Sequence, residues 1–283
     1  MSEEIELPNI SIITPIYNKQ NFFKLALHNF NSINYPSEKL EWIILDDSDD
    51  NSIKDMLPND KRIRYYYYTK EDIKQLYELF IQNYNEKKKA YKELNKKQKK
   101  GHKYKLRDEH KKFFKGNRIP LGMKRNLGVS YATYDIIIHM DDDDLYNSSN
   151  VESRVKKLLL SKKEGIECIG CSKIGCFHIS KMISIIYEPK ESYGSAKKIC
   201  CSSLAYTKNF WMKHKFENQD IFNEVEHFLK GRKSNEIHWK DVMVALYHTK
   251  NDRNMDVFKG ESNGWHYYPL SNEMFEFITS LDT

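Results

Sequence analysis

Tyr134-Asp-Ile-Ile-Ile-His-Met140 runs without a break into Asp141-Asp-Asp-Asp144. A short apolar run of this length reads as a buried strand. Four consecutive carboxylates at its end are hard to hold together. Each disfavours the ionised form of its neighbours unless a cation compensates. Oxygen-only ligation suits a hard divalent ion, manganese (Mn2+) or magnesium (Mg2+). Such ions take one or two carboxylates and fill their other positions from substrate phosphates. Alternation along an extended chain turns Asp141 and Asp143 to the same side. The competing reading is an acidic surface turn that caps the following helix.

The pattern recurs towards the N-terminus. Leu40-Glu-Trp-Ile-Ile-Leu45 reads as another buried strand ending in acids, Asp46-Asp-Ser-Asp-Asp50. Ile10-Ser-Ile-Ile-Thr-Pro15 is an earlier one, closed by Tyr17-Asn18, and Asn18 is placed to cap a helix. That helix carries Phe22, Phe23, Ala26, Leu27 and Phe30 at helical spacing, and 63–68 reads as a further strand. Strands alternating with helices imply a parallel sheet with crossover connections. Ligands of such sheets sit at the carboxyl ends of the strands. The polar ends 14–18 and 46–50 therefore fall where a nucleotide would bind. A carboxylate there can accept a hydrogen bond from a base N–H or a ribose hydroxyl; a plain turn is the alternative.

Between 70 and 117 the rhythm breaks. Ile73, Leu76, Tyr77, Phe80, Ile81 and Tyr84 form one helical stripe, after which Lys and Glu dominate. One or two helices form an insertion here. Its basic part, 87–115, offers a contact for an anionic partner such as a membrane surface, or is simply a solvated helix face. Nucleic acid is not expected. Beyond it, Met123, Leu127 and Tyr131 share a helical face on a segment that carries Lys124-Arg125-Asn126. Arginine suits bidentate contact with phosphate. Ser149 and Glu152 have capping-box spacing, ahead of Val151, Val155, Leu158 and Leu159 on an inner face. In the second half, 167–179 and 182–188 read as paired strands, 220–229 as a helix, and 241–247 as a buried strand followed by His248. Tyr206, Phe210, Trp211 and Phe216 cluster, and the first three read as core or as a platform for sugar rings.

The 283 residues are 40% apolar and 30% charged, with a net charge of +6. A chain of this length buries roughly 75% of its unfolded surface without staples. No apolar run approaches the ~20 residues of a membrane-spanning helix. The start, Met1-Ser-Glu-Glu-Ile-Glu6, has no basic segment before an apolar one, so a cytoplasmic location is expected. Cys168, Cys171, Cys176, Cys200 and Cys201 are odd in number, which argues against a disulfide framework. Cys168-x-x-Cys171 lacks the second paired half of a zinc ribbon. Its alternation with Ile and Gly fits buried thiols acting as small hydrophobes.

Ser11-Ile-Ile-Thr-Pro-Ile-Tyr-Asn18, Trp42-Ile-Ile-Leu-Asp-Asp-Ser48, Lys124-Arg-Asn-Leu-Gly128 and Ile138-His-Met-Asp-Asp-Asp-Asp-Leu-Tyr146 follow one another in an order that resembles the GT-A glycosyltransferases, and among them the inverting family 2. The resemblance covers most of 10–160. It implies one GT-A domain over 1–283, an α/β fold with a mixed, mostly parallel sheet flanked by helices. About 1–160 would bind the nucleotide-sugar, with the helical insertion at 70–117, and about 161–283 would bind the acceptor. It implies a hexosyl- or pentosyltransferase that moves sugar from a UDP-linked donor to a hydroxyl on a glycan, protein or small molecule. Thr14, Pro15 and Tyr17 would line the base pocket, Asp47 would contact the base, and Arg125 would lie near the diphosphate or base. Asp141-Asp142-Asp143 would be the DxD motif, with Asp141 and Asp143 at the metal and Asp142 reaching the ribose. His248 resembles a late histidine that contacts metal or diphosphate. An inverting transfer needs a base. Phe222-Asn-Glu-Val-Glu-His-Phe228 occupies the matching region, with Glu224 at the base position and Asn223 where the family has an acid; Glu226 and Asp220 compete. Two other functions stand beside this one. A sugar-phosphate nucleotidyltransferase would carry a Gly-rich basic loop where this chain has Tyr17-Asn-Lys-Gln20. A catalytically silent GT-A-like module would bind through its basic insertion.

Overall fold

The computed structural model describes residues 6–49, 53–93, 118–188, 199–218, 224–248 and 270–282. A seven-stranded sheet has the order β10 (Asn235–Glu236), β6 (Cys168–Gly170), β9 (Ala205–Thr207), β4 (Ile136–His139), β1 (Ile10–Ile16), β2 (Leu40–Asp46), β3 (Ile63–Tyr67). β4, β1, β2 and β3 run parallel, with Ile10 opposite both Leu40 and Ile136. Every residue of β1, β2 and β4 is buried. That is what a parallel sheet covered on both faces requires, and why these strands read as unbroken apolar runs. On one face Ile10, Ile12 and Ile44 pack with Phe22, Phe23 and Phe30 of α1 (Gln20–Asn31) and Val151, Val155 and Leu158 of α4 (Asn150–Lys163). On the other, Ile13, Ile43, Leu45 and Ile137 meet Val129 of α3 (Leu121–Tyr131) and Phe210 and Trp211 of α5 (Lys208–Lys213).

Gly128 sets how closely α3 lies on the sheet. A Cβ there would come within 2.5 Å of Ile13 Cγ2 and 2.9 Å of Leu45 Cδ1. This close approach turns Gly122, Lys124, Arg125, Gly128 and Val129 inward. Met123, Leu127 and Tyr131, expected to form the packed face, are only half-buried. The buried face of this helix is the one that carries the charges.

A second sheet has the order β5 (Leu145–Tyr146), β11 (Met243–Tyr247), β7 (Ile174–His178), β8 (Ile183–Tyr187). β5 pairs antiparallel to β11, Val244 opposite Leu145. The acidic run 141–144 thus bridges the sheets, with β4 before it and β5 behind it. Asp144 is fixed there: its Oδ1 accepts from Leu246 N (3.2 Å), and its carbonyl accepts from Asn29 Nδ2 (2.8 Å). β11 runs up beside the acids and delivers His248 at its end.

Several local expectations give way to tertiary contacts. The stretch 167–179 is two strands, not one. β6 joins the large sheet and β7 the small one, and β7 pairs with β8 as expected. Asn18 does not cap α1. It sits at φ 52° and ties two loops together instead, its side chain exchanging hydrogen bonds with Asp49 (3.1 and 3.0 Å) and its N–H donating to Ser48 Oγ (2.8 Å). Ser149 is the N-cap of α4, but its hydroxyl donates to Asn147 Oδ1 (3.0 Å) rather than closing a capping box. Tyr206, Phe210, Trp211 and Phe216 are all buried, with Phe216 stacked on Phe228 of α6 (Glu224–Leu229) at 3.9 Å, so they are core. The insertion begins as one helix, α2 (Lys70–Glu93). Residues 94–117, most of the basic part, lie outside the described residues, as do Asp220 and Asn223. No helix among the described residues is long and apolar enough to cross a membrane.

Candidate active site

The carboxyl ends of β1, β2 and β4 converge, because the three strands are parallel and in register. At the end of β2, Asp46 accepts from Ser48 N (2.9 Å), Tyr65 Oη (2.8 Å) and Ile53 N (3.4 Å). Asp47 accepts from Ile119 N at its Oδ2 and from the Lys124 ammonium at its Oδ1, both at 2.5 Å. Lys124 also donates to the Ile16 carbonyl (2.9 Å), so it binds β1 to β2 from α3. Thr14 lies beneath this surface. Its hydroxyl donates to the Met140 carbonyl (2.7 Å) and accepts from Trp42 Nε1 (2.8 Å), locking β4 against β1 and β2. Pro15 is buried in the β1–β2 ladder opposite Leu45. Tyr17 is half-exposed above it. Arg118 lies 5.3 Å from its ring centroid, and burial, then Asp49 and Asp47, hold its phenol pKa above the ordinary value.

At the end of β4 the acids are arranged differently. Arg125 is fully buried and faces them from α3. It donates to both Asp141 oxygens (3.1 and 3.3 Å) and to Glu224 Oε1 (3.0 Å). Two carboxylates share this one guanidinium. Arg125 Nη1 also donates to His139 Nδ1 (3.2 Å). That nitrogen must then be the acceptor, which puts the ring proton on Nε2, donating to Tyr206 Oη (2.7 Å). Burial and the adjacent Arg125 and Arg154 lower the His139 pKa well below the histidine range, so the ring is neutral. Asp142 is buried, and its Oδ2 has no hydrogen-bond partner among the described residues. Burial, against the pull of Lys19, and then the charges of Asp143 and Asp141 raise its pKa well above the carboxylate range. Asp143 Oδ2 accepts from two donors, His248 Nε2 (3.1 Å) and the Lys19 ammonium. His248 stacks on Phe22 at 4.0 Å, which fixes its ring plane. Glu224, 12% exposed, opens α6 at the edge of this cluster. Burial raises its pKa, with Arg125 opposing and Asp141 adding, and the Cys201 thiol hydrogen-bonds to it.

Nine of the sequence-predicted positions meet at these strand ends: Pro15, Tyr17, Asp47, Arg125, Asp141, Asp142, Asp143, Glu224 and His248; Thr14 supports them from below. Two cations were missed. Lys19 carries no pattern signal, being one lysine after Asn18 in a chain with 46 basic residues. Lys124 stood beside Arg125 in the same motif, but which of the two reaches Asp47 depends on the phase of α3 against the sheet.

Among the described residues no group of three or more His, Cys, Asp or Glu side chains forms a ready metal cage. The donors still fit a divalent ion of the kind that borrows ligands. Asp143 and His248 already converge, and the adjoining Asp142 adds a buried carboxyl whose Oδ2 has no hydrogen-bond partner among the described residues. Asp143 and His248 are the residues that would hold it, with the remaining positions left to a bound ligand.

No protein-family profile and no curated protein matches the sequence. Solved structures do match the fold. S. aureus TarS, residues 1–349, superposes with a TM-score of 0.51 at 11% identity, over 84% of this chain and 60% of that one. The same protein in complex with UDP gives 0.50 at 11%, over 85% and 61%. The mannosyltransferase PcManGT from Pyrobaculum calidifontis, in complex with GDP-Man and Mn2+, gives 0.51 at 14%, over 84% and 56%. The chain thus spans less than two thirds of the length of each. The strand order, the acids at the strand ends and these superpositions agree: the chain has the GT-A glycosyltransferase fold.

Proposed function

We propose that this protein transfers a sugar from a UDP-linked donor to a hydroxyl acceptor, with inversion at the anomeric carbon and with the help of a divalent cation. The observation that carries this is the under-compensated acid cluster at the end of β4, where Asp142 has a partnerless buried oxygen and Asp143 meets His248. Such a cluster favours a cation and, through it, a diphosphate. The UDP complex of TarS and the GDP-Man and Mn2+ complex of PcManGT support a nucleotide-sugar donor.

The donor half is 1–160. Tyr17 offers its ring to the base. Asp47, set in place by Lys124 and Ile119, accepts from the base, and Asp142 from the ribose. A manganese or magnesium ion, when bound, neutralises charge on the departing diphosphate. Glu224 is the base. It takes the proton of the acceptor hydroxyl, the freed oxygen pair bonds to the anomeric carbon, and the sugar–phosphate bond breaks with its electrons leaving on the diphosphate. A raised pKa makes Glu224 the stronger base. Arg125 orients it and keeps it from sharing a proton with Asp141. Arg125 thus serves as a positioning residue, since it is fully buried against acids. The acceptor, and whether the sugar is a hexose or pentose, would be set by 161–283.

The test is thermal shift against UDP and UDP-sugars with and without Mn2+. A ligand that binds only the native state raises its stability, by about 2.7 kcal/mol at a hundredfold excess over Kd. Stabilisation by UDP that needs Mn2+ and vanishes in Asp143→Ala is expected. If no nucleotide shifts the protein with any metal, the donor reading is lost and a silent GT-A-like module takes its place.

A further inference from the structure

Among the described residues Lys124, Arg125 and Lys19 touch Asp47, Asp141 and Asp143, and two of these three cations have nowhere to go. Arg125 is 1% exposed and engages Asp141, Glu224 and His139 together. Lys124 is 5% exposed and is held by Asp47 and the Ile16 carbonyl. Lys19 differs. Its side chain is 22% exposed, its ammonium donates to Asp143 with the charges of Asp142 and Asp141 nearby, and it meets the same Oδ2 that His248 contacts. Its backbone is anchored, since its carbonyl accepts from Phe22 N (3.0 Å) and Phe23 N (3.2 Å) at the start of α1. Only the flexible four-carbon stem and its compact charge are at liberty to move.

This arrangement has a consequence for the donor site proposed above, on which the inference rests. We propose that Lys19 makes divalent-cation binding at Asp143 depend on the nucleotide: its ammonium holds Asp143 until a diphosphate draws it off. A divalent ion approaching Asp143 alone meets a resident positive charge on the oxygen it needs. A diphosphate arriving with the ion offers Lys19 a new anionic partner and removes that conflict. Each ligand then strengthens the other, and by linkage the coupling is equal in both directions. Lys19 is a positioning residue in this scheme, acting through Asp143.

The experiment is calorimetric titration of the full chain, first with Mn2+ alone and then with UDP at saturating Mn2+, for wild type, Lys19→Met, Lys19→Gln and Lys19→Arg. Removing the charge is expected to tighten Mn2+ alone by about tenfold and to weaken UDP at saturating Mn2+ by about tenfold. The opposite signs are diagnostic, because a merely structural lysine would weaken both. Lys19→Arg keeps the charge and is expected to behave as wild type. Lys19→Gln guards against a packing defect specific to methionine. If Lys19→Met and Lys19→Gln bind Mn2+ alone no more tightly than wild type, or bind UDP equally well at saturating Mn2+, the role of Lys19 is overturned while the donor site stands. If wild type itself binds neither Mn2+ nor UDP, both fall.

Discussion

Two acidic runs end two parallel strands of one sheet, and they are in opposite electrostatic condition. At the end of β2, each oxygen of Asp46 and Asp47 has a donor: Ser48 N, Ile53 N and Tyr65 Oη for the first, Lys124 and Ile119 N for the second. At the end of β4, Asp141 shares Arg125 with Glu224, Asp142 keeps a buried oxygen without a partner, and Asp143 leans on a lysine that solvent can reach. The first run is fully supplied with donors from the protein itself. The second is held at a cost by the fold around it, between β4 and β5, with fewer donors than acceptors. Carboxylates of the same type, at equivalent strand ends, thus differ in how many donors reach them.

The contrast is broken most forcefully at Lys124. Lys124→Met leaves Asp47 buried without its cation, and losing one partner of a buried pair costs about 3–5 kcal/mol. Chemical denaturation is expected to show that loss in the absence of any ligand. A loss below about 1 kcal/mol, the range of an exposed pair, means that the β2 run does not depend on its donors as described. Asp142→Asn is expected to act in the other direction. Replacing an uncompensated buried carboxylate by a neutral amide of the same shape should stabilise the ligand-free protein by about 1 kcal/mol, while reducing the Mn2+-dependent shift by UDP. If Asp142→Asn destabilises as Lys124→Met does, the two runs are alike and the distinction fails.

Much of this was legible in the chain itself. The unbroken apolar runs of β1, β2 and β4, each closed by polar residues, announce parallel strands and place the acids at their ends. Other features depend on contacts that no local pattern carries. The phase of α3 follows from Gly128 meeting Ile13 and Leu45, and it decides that Lys124 serves Asp47 while Arg125 serves Asp141 and Glu224. One apolar stretch, 167–179, feeds two sheets because the chain crosses between them at Cys171, which hydrophobicity alone does not record. Asn18 had the chemistry of a helix cap, but at φ 52° it found Asp49 and Ser48 in the loop after β2 instead. His248 was legible as a histidine after a strand. Its meaning came only with Asp143, 105 residues away in sequence.

A third acid separates the two variables, donor supply and burial, that the runs confound. Glu167, beside β6, is well supplied like Asp47 but only half-buried, and its cation Lys213 is exposed. It accepts from Lys213 (2.6 Å), Asn209 (2.9 Å) and Thr207 (3.0 Å), the last being the N-cap of α5. These donors, Lys213 first and then Asn209, hold its pKa down to about 2. A carboxyl with a lowered folded pKa stabilises the protein above its unfolded value, near 4.3. That contribution fades as the pH falls from there towards 2, where the folded form also takes up the proton. Glu167→Gln is therefore expected to lower stability at pH 7 by no more than about 1 kcal/mol, as exposed pairs do. The gap from wild type should close between about pH 4.3 and 2. Denaturant midpoints measured for both proteins across that range check it. A loss at pH 7 as large as that of Lys124→Met would mean that donor supply alone sets the value of an acid here. The small loss expected assigns the difference to burial, which is what makes the Asp142 oxygen, without a partner among the described residues, expensive to hold.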